Sequence, residues 1–280
     1  MTATLGEVVA ALEARFDPAL AEDWDAVGLV CGDPAEPVGR VLVAVDPVAA
    51  VVDEAVETGA GLLVTHHPLF LTAVHGVPAD DPKGRLVHRL VRAGCGLFVA
   101  HTNADRAADV GVNDALAAVL GLTGARPLQP AAPARGGPRP GGRARRADDA
   151  GRVRRARRRR PPRHDRRRPG GRRPGPAGAH GRRLRGSGGS LLPAAAAAGA
   201  DVLLTSDLRH HPVSEAGEAP GPALCDVAHF ASEWPWVPVV ADVLTTDLSG
   251  RVEAVASRRR TDPWTVHRGA EGDRTAGSAG

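Results

Sequence analysis

The sequence predicts an α/β fold made of two similar halves, with mixed sheets covered by helices and the chemistry placed between the halves. Three observations carry this. Short, continuous apolar runs such as "RVLVAVDP" and "GLLVTHHP" alternate with stretches of helical spacing, the pattern of strands buried on both faces. Second, "ETGAGLLVTHH", "RAGCGLFVAHTNAD" and "AAGADVLLTSDLRHH" repeat one plan. Each stops a helix at Gly, runs a short apolar strand and breaks into Thr, His, Asn or Asp. Third, all three polar breaks fall at the carboxyl ends of strands, where open α/β sheets bind ligands.

The elements follow in order. In "LGEVVAALEARF", Leu5, Val8, Val9, Leu12 and Phe16 share a helical face. "AEDWDAVGLVCGDP" reads as a turn and a short strand, and "RVLVAVDP" as a buried strand. "PVAAVVDEAVETGA" is a helix with Pro47 at its start and Gly59 near its stop. "GLLVTHHP" is a strand, "KGRLVHRLVRAGC" a helix, "GLFVAHTNAD" a strand, and "VGVNDALAAVLGL" a helix closed by Gly121. After residue 185 the same grammar returns. "SLLPAAAAAGA" is a helix, "DVLLTSDLRHHP" a strand and turn, and "GPALCDVAHFASEWP" a strand entering a helix. The stretches "VPVVADVL" and "GRVEAVAS" fit either strand or helix. The expected organisation is a first half over 1–125, a linker over 126–185, a second half over 186–266 and a flexible tail over 267–280.

Composition narrows the classes. No run of about eighteen apolar residues is present, so no transmembrane helix and no membrane partner are expected. The N-terminal stretch lacks a basic region and carries Glu7 and Glu13, unlike a signal peptide. Cys31, Cys95 and Cys225 are scattered and read as reduced thiols of a cytoplasmic protein. The net charge of +4 conceals an uneven distribution. Residues 131–185 hold 21 of the 36 Lys and Arg but only 3 of the 32 Asp and Glu. The rest carries 15 basic and 29 acidic residues, a net charge of −14. An acidic body argues against a nucleic-acid surface outside the basic insert.

That insert, rich in Arg, Pro and Gly, has almost no apolar residue beyond Ala and cannot build a core. It reads as a solvated linker, as a nucleic-acid-binding arm, or as out-of-frame translation. The third reading has a concrete basis. "GRRLR" can be encoded GGT CGC CGT CTG CGG, which shifted by one base reads V-A-V-C-G. Joined to "GSGGSLL", that would restore a strand, a glycine turn and a helix at the start of the second half. Resequencing the gene separates a frameshift from a linker.

Four clusters carry chemistry. His66 and His67 end an apolar strand, and Pro68 then stops the ladder, so strict alternation of side chains need not hold. Two adjacent imidazoles in that setting can serve two ions side by side. His101 and Asp105 in "HTNAD" offer an imidazole and an anionic oxygen; the alternative is an Asx turn. His229 and Glu233 in "HFASE" are four apart, one face of a helix, as a divalent site or as a surface pair. Asp207, His210 and His211 in "TSDLRHHP" mirror the first cluster and could be a ligand set, but suit an orienting shell or a substrate contact better, because the other three clusters already supply five ligands. No phosphate-binding glycine loop, dinucleotide fingerprint or serine-hydrolase elbow is present.

The ordered set W-D-x-V-G-L (Trp24 to Leu29), T-H-H-P (Thr65 to Pro68), H-T-N-x-D (His101 to Asp105), T-S-D-L-R-H-H (Thr205 to His211) and H-F-A-S-E (His229 to Glu233) resembles the Nif-three-like family. Its members are also called GTP cyclohydrolase 1 type 2 homologues, or dinuclear metal centre hexameric proteins. The resemblance covers about residues 5–125 and 186–266. It implies two similar α/β halves, a toroidal homohexamer and two divalent ions per subunit. It also implies the ligands. His67 and Asp105 would favour one ion, His66 and His229 the other, and Glu233 would bridge. His101 would stand beside the ions and relay protons. Ser206 departs from the usual glycine of the fourth motif, and the first strand of the second half is not recognisable.

The leading expectation is a metal-dependent hydrolase acting on a nucleotide, as in GTP ring opening, or on a phosphoester. The alternatives are a non-enzymatic metal-binding or regulatory hexameric scaffold, and nucleic-acid binding through the Arg-rich segment. Three imidazoles and two carboxylates suit Zn, Mn, Fe, Co or Ni.

Overall fold

The computed structural model describes residues 2–128 and 188–264. The Arg-rich insert and the tail expected from the sequence fall almost wholly outside the described residues.

The chain opens with strand β1 (Ala3–Thr4) and helix α1 (Leu5–Arg15). Thr4 caps α1 in a reciprocal box: its hydroxyl accepts from the Glu7 N–H, and the Glu7 carboxylate accepts from the Thr4 N–H. Strands β2 (Gly28–Cys31), β3 (Pro37–Val38) and β4 (Arg40–Ala44) follow. Helix α2 (Ala49–Glu57), strand β5 (Leu62–Thr65), helix α3 (Pro82–Arg92) and strand β6 (Gly96–Val99) form two successive parallel crossovers. Helices α4 (Thr102–Arg106) and α5 (Val112–Leu120) close the first half.

The repeat seen in the sequence is physical. Gly59, Gly94 and Gly199 end their helices at φ 66°, 65° and 63°, a left-handed geometry that β-carbons disfavour. Each glycine turns the chain into a strand. The third copy is α6 (Leu192–Ala197) followed by strand β7 (Val202–Ser206). Helix α7 (His210–Gly217), strand β8 (Ala223–Val227), helix α8 (His229–Glu233), helix α9 (Trp236–Asp247) and strand β9 (Glu253–Ala256) complete the described chain.

The main sheet has five strands in the order β2-β6-β5-β4-β9, with β2 antiparallel to β6 and the other pairs parallel. It is a mixed sheet covered by helices, as the sequence predicts. Strand β9 comes from the far end of the chain and pairs with β4, Arg40 opposite Glu253. The Arg40 guanidinium donates to the Glu253 carboxylate at 2.7 Å across that edge. Among the described residues, the second half keeps two strands of its own, β7 and β8, paired in parallel. Gly188 lies against β7 so closely that a β-carbon there would stand 2.0 Å from the Thr205 hydroxyl oxygen.

Both faces of the main sheet are packed. One is covered by α1 and α9, where Leu5, Val8, Leu12, Phe16, Trp236, Val240 and Leu244 are buried. The other is covered by α2 and α3, through Val51, Val52, Ala55, Leu86 and Leu90. Among the described residues, the smaller sheet packs on a satellite core of Leu191, Leu192, Ala195, Ala200 and Leu203. "VPVVADVL", ambiguous in sequence, is helical because Trp236, Val237, Val240, Ala241 and Leu244 then fall on one buried face. Two strand ends differ from expectation: "TNADR" winds into α4, and His210 opens α7 where a turn was expected.

Candidate metal centre

The carboxyl ends of β4, β5, β6, β7 and β8 deliver polar residues to one place. The ladder of β5 runs slightly past its last residue: the N–H groups of His66 and His67 donate to Ala44 and Val45 carbonyls at 3.2 and 2.8 Å. Pro68 has no N–H and ends it. His101 leaves β6 and begins α4, so Asp105 lies one turn later on the same helix. His229 opens α8, and Glu233 follows one turn on.

Four imidazoles meet in one cluster, three of them around Glu233. Ring centroids stand 5.0 Å apart for His66 and His67, 5.2 Å for His66 and His101, and 5.1 Å for His67 and His229. The Trp236 ring backs His66 at 5.4 Å and is wholly buried. Glu233 reaches His229 Nε2 at 2.8 Å, His67 Nε2 at 2.9 Å and His66 Nε2 at 3.6 Å. These are ion-pair separations. Glu233 Oε2 and His66 Nε2, both buried, have no aligned hydrogen-bond partner.

Each imidazole is held from behind at Nδ1. His66 Nδ1 is 2.9 Å from the Ala100 carbonyl, which can only accept, so that nitrogen carries the proton. His67 Nδ1 meets Asp46 at 2.6 Å, His101 Nδ1 meets Asp25 at 2.8 Å, and His229 Nδ1 meets Asp207 at 2.5 Å. Fixing the proton at Nδ1 leaves Nε2 as the free donor atom, the arrangement that orients metal-binding histidines. Asp207 presents its carboxylate from a left-handed backbone, φ 55°, which Asp tolerates better than most residues.

The electrostatics are those of a crowded, half-buried cluster. Burial opposes charge on His67, yet the Asp46 and Glu233 carboxylates outweigh it and push His67 up to about 10. The same balance, with Glu233 and Asp207, raises His229 to about 9. His66 is also raised, burial being overcome by Glu233 and Asp105. Burial would lift Glu233, but the surrounding imidazoles hold it well below the usual carboxylate range. Asp25 is likewise low: bonds from His101 and Thr102 overcome its burial.

Among the described residues, two sets can each bring one donor atom per side chain within 4.8 Å of one another: His66, His67 and His101, and His67, His229 and Glu233. Nitrogen and carboxylate donors with oriented imidazoles and a buried, unpartnered Nε2 fit a divalent transition metal. Of the residues singled out from the sequence, His66, His67, His101, His229 and Glu233 converge here. The nearest Asp105 oxygen is 3.9 Å from His66 Nε2. His101, expected to stand beside the ions, is itself within ligating range of His66 and His67. Asp207 reaches the centre through His229. His210 and His211 are exposed on α7, their rings 5.2 Å apart.

Sequence reasoning missed three residues. Asp46 follows β4 as His67 follows β5, and that place after a buried strand is its one signal in the sequence. Asp25 belongs to the W-D-x-V-G-L stretch, where nothing local marks it as the partner of His101. Thr261 had no local signal; its hydroxyl donates to the Asp46 oxygen that His67 leaves open.

The comparisons with known proteins agree. The family model described as Duf34/NIF3 (NGG1p interacting factor 3) matches residues 3–171 and 183–263. A Streptomyces coelicolor protein named GTP cyclohydrolase 1 type 2 homolog is 47% identical over 270 residues, spanning 94% of this chain and 94% of its own. A Mycobacterium tuberculosis protein of the same name is 34% identical over 375 residues, covering 95% of this chain and 98% of its own. A crystal structure of a Bacillus cereus protein related to NIF3 superposes with TM-score 0.72 at 20% identity, covering 95% of this chain and 99% of that one. At that identity the likeness concerns the fold. Fold, motif order and sequence identity lead to one conclusion: the chain belongs to the Duf34/NIF3 family.

Proposed function

We propose that this protein is a dinuclear, divalent-metal-dependent hydrolase acting on a nucleotide or a related phosphoester. The observation that supports it most is the fourfold repetition of one device. Four histidines are each fixed at Nδ1 by a carboxylate or carbonyl, and three of them surround the buried carboxylate of Glu233. In this reading His66, His67, Asp105, His229 and Glu233 hold two ions, drawn from Zn, Mn, Fe, Co or Ni. When bound, such a pair lowers the pKa of water and polarises the substrate.

The chain's own residues do the rest. Glu233 turns one oxygen toward His229 and the other toward His67, and would help hold the ions there when they are bound. Asp46 and Asp207 orient His67 and His229 and make them better donors. His101, held by Asp25 at Nδ1, can take and return a proton at Nε2. The curated relatives' name suggests GTP as a substrate to try. The homohexamer implied by the resemblance and the cytoplasmic location suggested by the scattered cysteines belong to the same reading. Among the described residues, no helix is long and apolar enough to cross a membrane.

The test is metal analysis followed by turnover. Two ions per chain are expected, with hydrolysis of GTP or a model phosphodiester lost in His67→Ala and Glu233→Ala. Full occupancy with no turnover of any nucleotide tested would favour a metal-binding scaffold instead. Light scattering reads the assembly state.

A further inference from the structure

Trp24 stands at the rim of the metal centre with 57% of its surface exposed. Its indole lies 5.9 Å from the His101 ring, nearly perpendicular at 76°. A ring in water at a polar site is not by itself informative. What distinguishes Trp24 is how firmly its support is fixed. It occupies a turn closed by the Asp25 N–H donating to the Glu22 carbonyl at 3.0 Å. Both ends of that turn are pinned to Thr102. The Glu22 N–H donates to the Thr102 hydroxyl oxygen at 2.9 Å. The Asp25 carboxylate, its side chain fully buried, accepts from the Thr102 N–H at 2.9 Å and from the Thr102 hydroxyl at 2.5 Å. Its other oxygen holds His101 at 2.8 Å. One buried aspartate therefore fixes both His101 and the turn that presents the indole.

A rigid, exposed indole beside an imidazole of the metal centre is pre-organised to receive a flat ring, because little freedom remains to be lost on binding. We propose that Trp24 is a stacking platform for the planar heterocycle of the substrate, a purine-type base, placing that ring next to His101. This deepens the hydrolase reading and rests on it. The phosphates of such a substrate would be held elsewhere in the site. Trp24 therefore serves the base alone, and the platform discriminates a nucleotide from the same phosphate chain without a base.

The experiment uses the metal-loaded full chain, with equilibrium dialysis of GTP and of tripolyphosphate. Trp24→Ala is expected to weaken GTP binding about ten- to a hundredfold, the usual effect of removing one base-stacking aromatic, while tripolyphosphate binding stays within about twofold. Trp24→Phe should keep most of the GTP affinity. Metal content and melting temperature of both variants should match the parent, since the indole is exposed and Asp25 is untouched. Equal losses for GTP and tripolyphosphate would overturn the proposal, because the indole would then be supporting His101. Unchanged GTP binding in Trp24→Ala, with tripolyphosphate still bound, would overturn the platform alone and leave the hydrolase reading standing. Failure of the parent protein to bind either compound at full metal occupancy would overturn both.

Discussion

Asp46→Asn tests the orienting shell with little disturbance to the fold. Asp46 is the hinge between two parts of the chain: Oδ1 meets His67 Nδ1 at 2.6 Å, and Oδ2 accepts from the Thr261 hydroxyl. Asparagine keeps the shape. Its amide oxygen can still accept from His67, and the Thr261 hydroxyl can turn to accept from the amide nitrogen. What disappears is the negative charge behind the imidazole. Loss of an outer partner typically weakens metal binding about 10- to 100-fold, or about 1.4–2.7 kcal/mol. A second effect opposes it. The Asp46 and Glu233 carboxylates raise His67 to about 10, so at neutral pH a proton competes with the ion for Nε2. Removing one carboxylate lowers that pKa and relieves the competition. The loss in Asp46→Asn should therefore be smallest near pH 7 and reach its full size near pH 10. Affinity in the parent should rise more steeply with pH over that window, by about one proton. Competition against a calibrated chelator across this range measures both quantities. Equal affinity and equal pH slope in the two proteins would refute the view that Asp46 tunes His67.

Three further outcomes are expected. Thr261→Val removes the second support of Asp46 without touching an imidazole, and metal affinity by the same competition assay should fall by less than in Asp46→Asn, with His67→Ala as the reference for complete loss at that position. Trp236→Ala empties a wholly buried position that backs both Phe16 and His66, at 5.6 and 5.4 Å, and chemical denaturation should show a loss of about 3–5 kcal/mol. The loss of stability with rising pH should disappear when the metal is bound. In chelator-stripped protein, His67 and His229 bind protons more tightly when folded, near 10 and 9, than at their ordinary value of about 6.5. Their contribution is then complete below about pH 6.5 and is lost as pH rises through 9 and 10. Bound metal needs the unprotonated imidazoles, so metal-loaded protein should gain stability only as the unfolded histidines lose their protons near pH 6.5 and then stay level through pH 9 and 10. Melting temperatures of both forms from pH 6 to 10 check this.

The parts of the site legible in the sequence are those with a local signature. His66 and His67 announce themselves by ending an apolar strand before a proline. His229 and Glu233 do so by helical spacing, and His101 with Asp105 by the same plan after β6. The residues that hold these histidines have no such signature. Asp25 serves His101 across 76 residues of sequence, and Asp46 serves His67 across 21. An aspartate in a turn looks the same whether it faces water or an imidazole. Thr261 lies 215 residues from Asp46 and carries no pattern at all. The fold divides likewise. The alternation of strand and helix, the glycine stops and the mixed sheet could be read directly, because apolar period and left-handed turns are properties of neighbouring residues. The partner of β9 could not: its pairing with β4 joins Arg40 to Glu253 across 213 residues.

The sequence by itself determined the class of fold, the family resemblance and the side chains able to bind a metal, since each depends on residue type and short-range spacing. The tertiary structure alone decided which donors share a space. It placed His67 in both three-residue sets, drew His101 into ligating range, and set an acceptor behind every imidazole. The physical reason is that periodicity reports which face of an element is buried, while the groups that meet there come from other elements. Their distances are fixed only when the strands align their carboxyl ends and the helices close over them.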